Sequence, residues 1–319
     1  MIKSLIQNKF LEINFILFPI WILPVYFLMK FFILPPELTF LIFLILLGET
    51  HFASTFLFYF NKQNRRYIKK NKTSIVFMPI FLCICFFIFG MKHFEHAVLI
   101  GAVASGIHVT RQSIGISRLY STGKNIVFEI LIYFLSFLFL FIGFTRFYQK
   151  DYLTLLNIFK INKTIIENFN FLLTSNSLLI LLVSFLAFLS LFEKTHYKKK
   201  LVNLTGVLIY SPYLFVNNVY DAIVIGVGAH WSQYLLLNYK IYFFKEQMDY
   251  KKILQIVFIF LYALVMGLLG INYYFDKSIL HFLILVPFTF QFFHYYVDAF
   301  IWRFSVKEIR ENIGYKLFS

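Results

Sequence analysis

The sequence is poor in charge, poor in acid and nearly without cysteine. Only 14% of its 319 residues are Asp, Glu, Lys or Arg, against about a quarter in soluble domains, which excludes an ordinary water-exposed globular surface. Acids number 15 against 30 bases, a formal charge of +15. No basic amphipathic element interleaved with aromatics accompanies that excess, so it is not read as a nucleic-acid footprint. Cys83 and Cys85 are the two cysteines. They share one apolar run, which leaves no disulfide framework. A Cys-x-Cys metal site is conceivable there, but two small buried hydrophobes are expected. Neither a Walker A motif nor Gly-x-Gly-x-x-Gly occurs, which argues against ATP-driven transport. Short alternating segments of the outer-membrane barrel type are also lacking, as are sequence repeats and low-complexity tracts.

What is present is apolar. Hydrophobic residues make up 60% of the chain, with 45 Phe and 21 Tyr and a mean hydropathy of +0.74. The runs exceed the roughly 18 residues that mark a spanning helix. The expected fold is an all-α polytopic transmembrane bundle, a single integral-membrane domain over 1–319, in contact with membrane lipids. Ten spans are predicted, at 13–34, 37–61, 73–91, 95–119, 125–147, 172–192, 201–218, 220–243, 253–274 and 279–303. The stretch 201–243 is too long for one span and is broken near Asn217, Asn218 and Asp221. The first run is too long for a signal-peptide core and lacks a small-residue cleavage site, so it is read as a retained span.

Loop charge orients this bundle. Lys62, Arg65, Arg66, Lys69, Lys70 and Lys72 follow span two. Lys194, Lys198, Lys199 and Lys200 follow span six. Lys240, Lys245, Lys251 and Lys252 follow span eight, and Arg303, Lys307, Arg310 and Lys316 follow span ten. The weaker pair Arg118 and Lys124 follows span four. Both termini are therefore predicted to be cytoplasmic under the positive-inside rule, with a bacterial inner membrane as the expected location. Pro35–Pro36, Lys92–His93, Asp276–Lys277 and the longer loop 148–171 fall on the outer side.

Four histidines lie deep within these runs: His51, His108, His230 and His294. An ionisable group in hydrocarbon is costly and is usually kept for function. On the predicted orientation all four helices run from outside to inside. The histidines precede the first cytoplasmic basic residue by 11 residues (Lys62), 10 (Arg118), 10 (Lys240) and 9 (Arg303). That spread corresponds to roughly 3 Å of depth, as expected of ligands to one centre. Helical spacing places Gln291, His294 and Asp298 on one stripe. It does the same for Ser105, His108, Arg111, Gln112 and Gly115, for Gly226, His230 and Gln233, and for Gly48, His51 and Thr55. Glu49 stands about 200° from His51 on an ideal helix, so both can face one centre only if the helix is distorted. Glu49 is a candidate partner of Arg111, with Asp298 as the other carboxylate that could pair with that arginine. Asp221 is expected near the outer interface, solvated. His93, His96, His196 and His281 fall at loops or span ends. Tyr295, Tyr296 and Trp302 are candidate pocket-shaping aromatics.

Neutral imidazoles with one or two carboxylates suit Fe, Zn or Cu rather than Ca or Mg. A site at mid-membrane meets lipid tails and dissolved O₂ more readily than water, which favours non-haem iron. The expected function is a His-ligated metal oxidoreductase or oxygenase acting on a lipid-soluble carotenoid, isoprenoid or acyl chain. His51, His108, His230 and His294 are its ligands, with Asp298, Gln112, Arg111, Glu49 and Gln233 in catalytic support. Three alternatives stand beside it: a lipid-modifying transferase using His294 and Asp298 as base, a proton-coupled transporter, and a haem-binding electron carrier with paired axial histidines. Membrane desaturases and hydroxylases carry clustered His-x-x-x-His and His-x-x-His-His boxes, and none occurs here. Bacterial carotene-cleaving membrane oxygenases are similar in layout, scattering single histidines over several spans. Their Pro-His-Gly and His-Phe-Gly signatures are not reproduced by GETHFAST, GIHVTRQ, GAHWSQY or FHYYVDAFIWR, and no family membership is inferred.

Overall fold

The computed structural model describes residues 5–6, 8–120, 126–147, 184–185, 187, 196–216, 218–243, 247–275 and 283–318. Nearly all of the sixth predicted span lies outside the described residues. So do the loop 148–171, Asn217, Asp276, Lys277, His281 and the loop cations Lys124, Lys194 and Lys245. Every regular element among the described residues is helical. The helices are α1 (Lys9–Leu17), α2 (Ile22–Ile33), α3 (Pro36–Phe60), α4 (Arg65–Lys70), α5 (Thr73–Lys92), α6 (Phe94–Leu119), α7 (Ile126–Phe147), α8 (Tyr197–Leu208), α9 (Pro212–Phe215), α10 (Val219–Ala222), α11 (Gly228–Tyr242), α12 (Tyr250–Phe275) and α13 (Leu285–Ile301).

Among the described residues, α3, α5 and Tyr250–Gly270 of α12 are long and apolar enough to cross a membrane. A fourth crossing is added if α1 and α2, bent by 75° at their junction, form one span. The all-α class of the sequence reading therefore holds, and the ten-span count is not confirmed among the described residues, which leave out nearly all of the sixth span. Part of the difference has a physical cause. Helix α6 is diluted by Thr110, Arg111, Gln112 and Ser113, while α11 and α13 have only 15 and 17 residues.

Local chemistry sets the ends. The Asn8 side chain accepts from the backbone N–H of Phe10 and Leu11, capping α1. Pro36, whose missing N–H costs nothing at a first turn, opens α3. The break predicted within 201–243 is present: α9 ends at Phe215, and the Asn218 side chain caps α10 by accepting from Tyr220 N–H. Of the six π-helical turns among the described residues, two stand just before His51 and His230. Thr50 N–H reaches back to the Ile45 carbonyl across Leu44–Glu49, and Gly228 N–H reaches Ile223 across Ile223–Val227. Such wide turns rotate everything that follows them and are frequent at functional sites.

The chain divides into two compact units. One comprises Met1–Ile2, Leu17–Leu23 and Gly106–His230; the other comprises Lys3–Ile16, Pro24–Ser105 and Trp231–Ser319. In the second, α13 packs along α5, and α12 packs on both α13 and the π-turn of α3. Phe86, Ala97 and Leu285 form a buried cluster there, ringed by Phe87, Phe89, Phe288 and Phe292. In the first, α8 and α9 pack on α7. A Cβ at Gly226 would collide with the Ile209 carbonyl oxygen, so the backbones approach there only because glycine has no side chain. Arg118 grips Glu129 through two bonds, Nε to Oε1 at 2.8 Å and Nη2 to Oε2 at 2.5 Å.

The expected loop cations divide into two kinds. Lys62, Arg65, Arg66, Lys69, Lys70, Lys72, Arg303, Lys307 and Arg310 are exposed. Lys198, Lys199 and Lys240 are buried, contrary to their reading as solvated loop charges. Their aliphatic stems pack while the ammonium finds local compensation. Lys198 Nζ lies 5.9 Å from the Tyr120 ring centroid. Lys240 donates to the carbonyls of Leu5 and Leu317, the latter at 2.6 Å.

Candidate metal centre

In the second unit, α3 and α13 present His51 and His294 to each other. Both are 0% exposed, with ring centroids 4.5 Å apart. His51 falls on the first regular turn after the π-turn of α3. Around the pair stand Tyr234 of α11, its ring 4.3 Å from His51 and 5.4 Å from His294, and Phe52, 5.2 Å from His294. These are edge-on contacts, the arrangement in which ring quadrupoles attract.

A polar chain backs these rings. Thr55 Oγ1 lies 2.5 Å from His294 Nδ1. The Tyr234 hydroxyl donates to Asp298 Oδ1. Asn238 Nδ2 donates to Ser54 Oγ at 2.8 Å, and Ser54 donates to the His51 carbonyl at 2.7 Å. Every one of these residues is buried. His294 and Asp298 are both buried on α13, with the Asp298 carboxylate accepting from Tyr234.

In the first unit, His108 of α6 and His230 of α11 face each other with centroids 5.4 Å apart, both buried. Gln112 is buried one turn beyond His108, whereas Arg111 and Gly115 are exposed. The five-residue stripe predicted on α6 is thus split: His108 and Gln112 are covered, and Arg111, one residue around, is not. The exposed Arg111 does not fit the expected ion pair with the 2%-exposed Glu49.

His51 and His294, both buried with ring centroids 4.5 Å apart, could hold a metal ion between them. Nitrogens sharing one ion at about 2.1 Å stand about 3–3.5 Å apart in tetrahedral or octahedral cis positions.

The remaining expected residues have other surroundings. Gln233 Nε2 donates to the Ile16 carbonyl at 2.6 Å, which ties α11 to α1. Glu49 closes the π-turn of α3, and its Oε2 has no hydrogen-bond partner among the described residues. Asp221 is buried rather than solvated, at 9% exposure. His93 and His96 lie 5.7 Å apart at the start of α6, with His93 exposed. His196 caps α8, its Nδ1 accepting from Lys198 N–H. Cys83 is half-buried with Sγ on the Thr289 carbonyl, and Cys85 is exposed instead of buried. Tyr296 and Trp302 flank the centre less closely than Tyr295, whose ring is 5.7 Å from His294.

Tyr234 was not among the expected residues. One signal pointed to it: it stands four residues after His230 on α11, hence on the same helical face. The chain matches no protein-family model, no curated protein and no solved structure.

Proposed function

We propose that this chain is a polytopic membrane protein whose histidines hold a non-haem iron ion used to oxidise a lipid-soluble molecule, such as a carotenoid, isoprenoid or acyl chain. The observation that carries the reading is the buried imidazole pair His51 and His294, with ring centroids 4.5 Å apart. An all-imidazole donor set suits Fe, Zn or Cu and is a poor match to Mg or Ca. His108 and His230, facing each other, complete the proposed set. Ten spans with both termini cytoplasmic, in a bacterial inner membrane, belong to the same proposal.

Geometry supports non-haem over haem iron. Two imidazoles on opposite sides of one haem iron need ring centroids about 6 Å apart, given metal–nitrogen bonds of about 2 Å. The pairs here stand at 4.5 and 5.4 Å, closer to neighbouring ligands of one small ion. Iron bound here would supply activation of O₂. The protein's own part is to orient His294 through Thr55, to exclude water with Phe52, Tyr234 and Tyr295, and to keep a dry, apolar approach for the substrate.

Elemental analysis of detergent-purified protein tests the reading. The expected result is near-stoichiometric iron with no Soret absorption. Protein that retains no transition metal after expression in iron- and zinc-supplemented medium would overturn it.

A further inference from the structure

Two basic segments far apart in the sequence lie side by side in the second unit. Helix α4 buries Tyr67 and exposes Arg65, Arg66, Lys69 and Lys70. A last helix, α14 (Lys307–Phe318), buries Ile309, Ile313 and Leu317 and exposes Lys307 and Arg310. The two are tied together: Asn312 Nδ2 donates to the Gln63 carbonyl at 2.9 Å, and Lys70 Nζ lies 3.5 Å from Glu308 Oε1. Exposed Lys62 and Lys72 flank α4, and exposed Arg303 precedes α14. The acids of these segments are Glu308 and Glu311, and each already faces a lysine, Glu311 Oε1 standing 3.9 Å from Lys307 Nζ. Such a concentration of one sign repels itself unless counter-charge comes from outside.

The position of α4 says where that counter-charge is. Phe60 ends α3 and Thr73 begins α5, and both helices are long and apolar enough to cross a membrane. The residues between them therefore start and finish at a membrane boundary. The polar headgroup layer extends about 5–8 Å beyond the hydrocarbon on each side. Lys62 and Lys72, next to the ends of these two helices, fall within it.

We propose that α4 and α14 form one binding surface for the phosphate headgroups of anionic phospholipids, in the membrane that α3 and α5 cross. Clusters of Lys and Arg directly beside a span attract such lipids electrostatically. Arg65, Arg66, Arg303 and Arg310 add planar guanidinium forks, which match phosphate oxygens two at a time. The surface is composite: α4 supplies one group of cations, and the buried stripe of α14 holds the second group beside it. The inference rests on the membrane part of the functional reading and is independent of the metal.

The test is electron paramagnetic resonance of the full chain in phosphatidylcholine vesicles carrying a trace of spin-labelled phosphatidylglycerol or spin-labelled phosphatidylcholine. Wild type is expected to hold the anionic lipid at least about threefold more tightly than the zwitterionic one, and to lose most of that preference near about 0.5 M NaCl. Combined Arg65→Gln, Arg66→Gln and Lys69→Gln should cut the preference by about half or more. Combined Arg303→Gln, Lys307→Gln and Arg310→Gln should do the same, and either set decides if the other fails to fold. Lys251→Gln with Lys252→Gln is the control and should leave it unchanged, because Lys252 Nζ is bonded to the Gln247 carbonyl at 2.7 Å. Equal association of the two lipids, a preference indifferent to both triple variants, or an equal loss in the control would overturn the proposal. A loss confined to the α4 set would overturn the shared surface. Binding of a fluorescein-labelled RNA in detergent, with the two lipids held equally, would assign the patch to nucleic acid instead. Protein that does not enter the bilayer overturns the membrane reading as well, whereas inserted protein without lipid preference overturns this proposal alone.

Discussion

Helices α3 and α5 both pass the length and hydropathy test for a span, yet they are built for different neighbours. Helix α5 has a mean hydropathy of 2.6, and only 22% of its apolar window is buried within the protein. Its exposed residues include Phe77, Ile80, Phe81, Leu82 and Ile84, as expected of a surface that faces acyl chains. Helix α3 has a mean hydropathy of 1.8 and is 61% buried. It carries Glu49, Thr50, His51, Ser54 and Thr55, every one covered by other helices. The difference teaches where polarity is tolerated: not in apolar runs as such, but where protein rather than lipid surrounds the side chain.

The largest test of this contrast is at the histidines. His51→Ala and His294→Ala should each remove bound metal completely, read as metal per protein after gel filtration, while Cys83→Ala and Cys85→Ala on α5 leave it unchanged. Metal retained in both histidine variants would mean that α3 differs from α5 in packing only. The next effect comes from carrying α3's polarity onto α5. Ile84 is 55% exposed, and a carboxylate there would sit in acyl chains. Ile84→Asp should lower membrane insertion by about 3 kcal/mol on translocon-based scales, measured as the inserted fraction in a glycosylation assay. An inserted fraction equal to wild type would show that this face of α5 is not in lipid.

Packing gives a smaller contrast. A Cβ at Gly267 of α12 would lie 2.5 Å from Ile45 Cγ1 on α3, an atom close to the backbone that cannot swing away. At Gly90 of α5 the added methyl would meet Leu285 Cδ2 at 2.7 Å, the far end of a flexible side chain. Gly267→Ala should therefore cost about 2 kcal/mol and Gly90→Ala less than about 1, compared by thermal unfolding in one detergent. Equal costs would mean that α3 is held no more tightly than α5.

How much of this was legible in the sequence varies with the kind of signal. Helical class and most helix positions follow from apolar runs, and the break near Asn218 followed from a run too long for one span. Thr55 was placed on the face of His51 by its spacing of four, but its contact with His294 on another helix had no signal in the sequence. Tyr234 was hidden among 21 tyrosines, where a functional phenol looks like filler. Lys198, Lys199 and Lys240 were misread because counting loop charge assigns every lysine to water. It cannot see a ring face or a pair of carbonyls supplied from far along the chain. Arg111 shows the resolution limit of stripe reasoning: at one residue from Gln112 it is rotated by about 100°, enough to move it from cover to surface.

Glu49 provides the finest distinction. A regular helix would turn it away from anything His51 faces, and the π-turn that Glu49 closes changes that winding locally. Its carboxyl is 2% exposed, and Oε2 lacks a hydrogen-bond partner among the described residues. A buried carboxyl in such a place gains little from charge, so its neutral isostere should be nearly equivalent there. Glu49→Gln is expected to shift stability by less than about 1 kcal/mol and to leave metal content unaltered. Glu49→Leu, which removes both oxygens, tests whether shape alone is needed. If Glu49→Gln instead lowers metal content as His51→Ala does, the carboxylate belongs to the centre, and the π-turn of α3 serves to aim two residues rather than one.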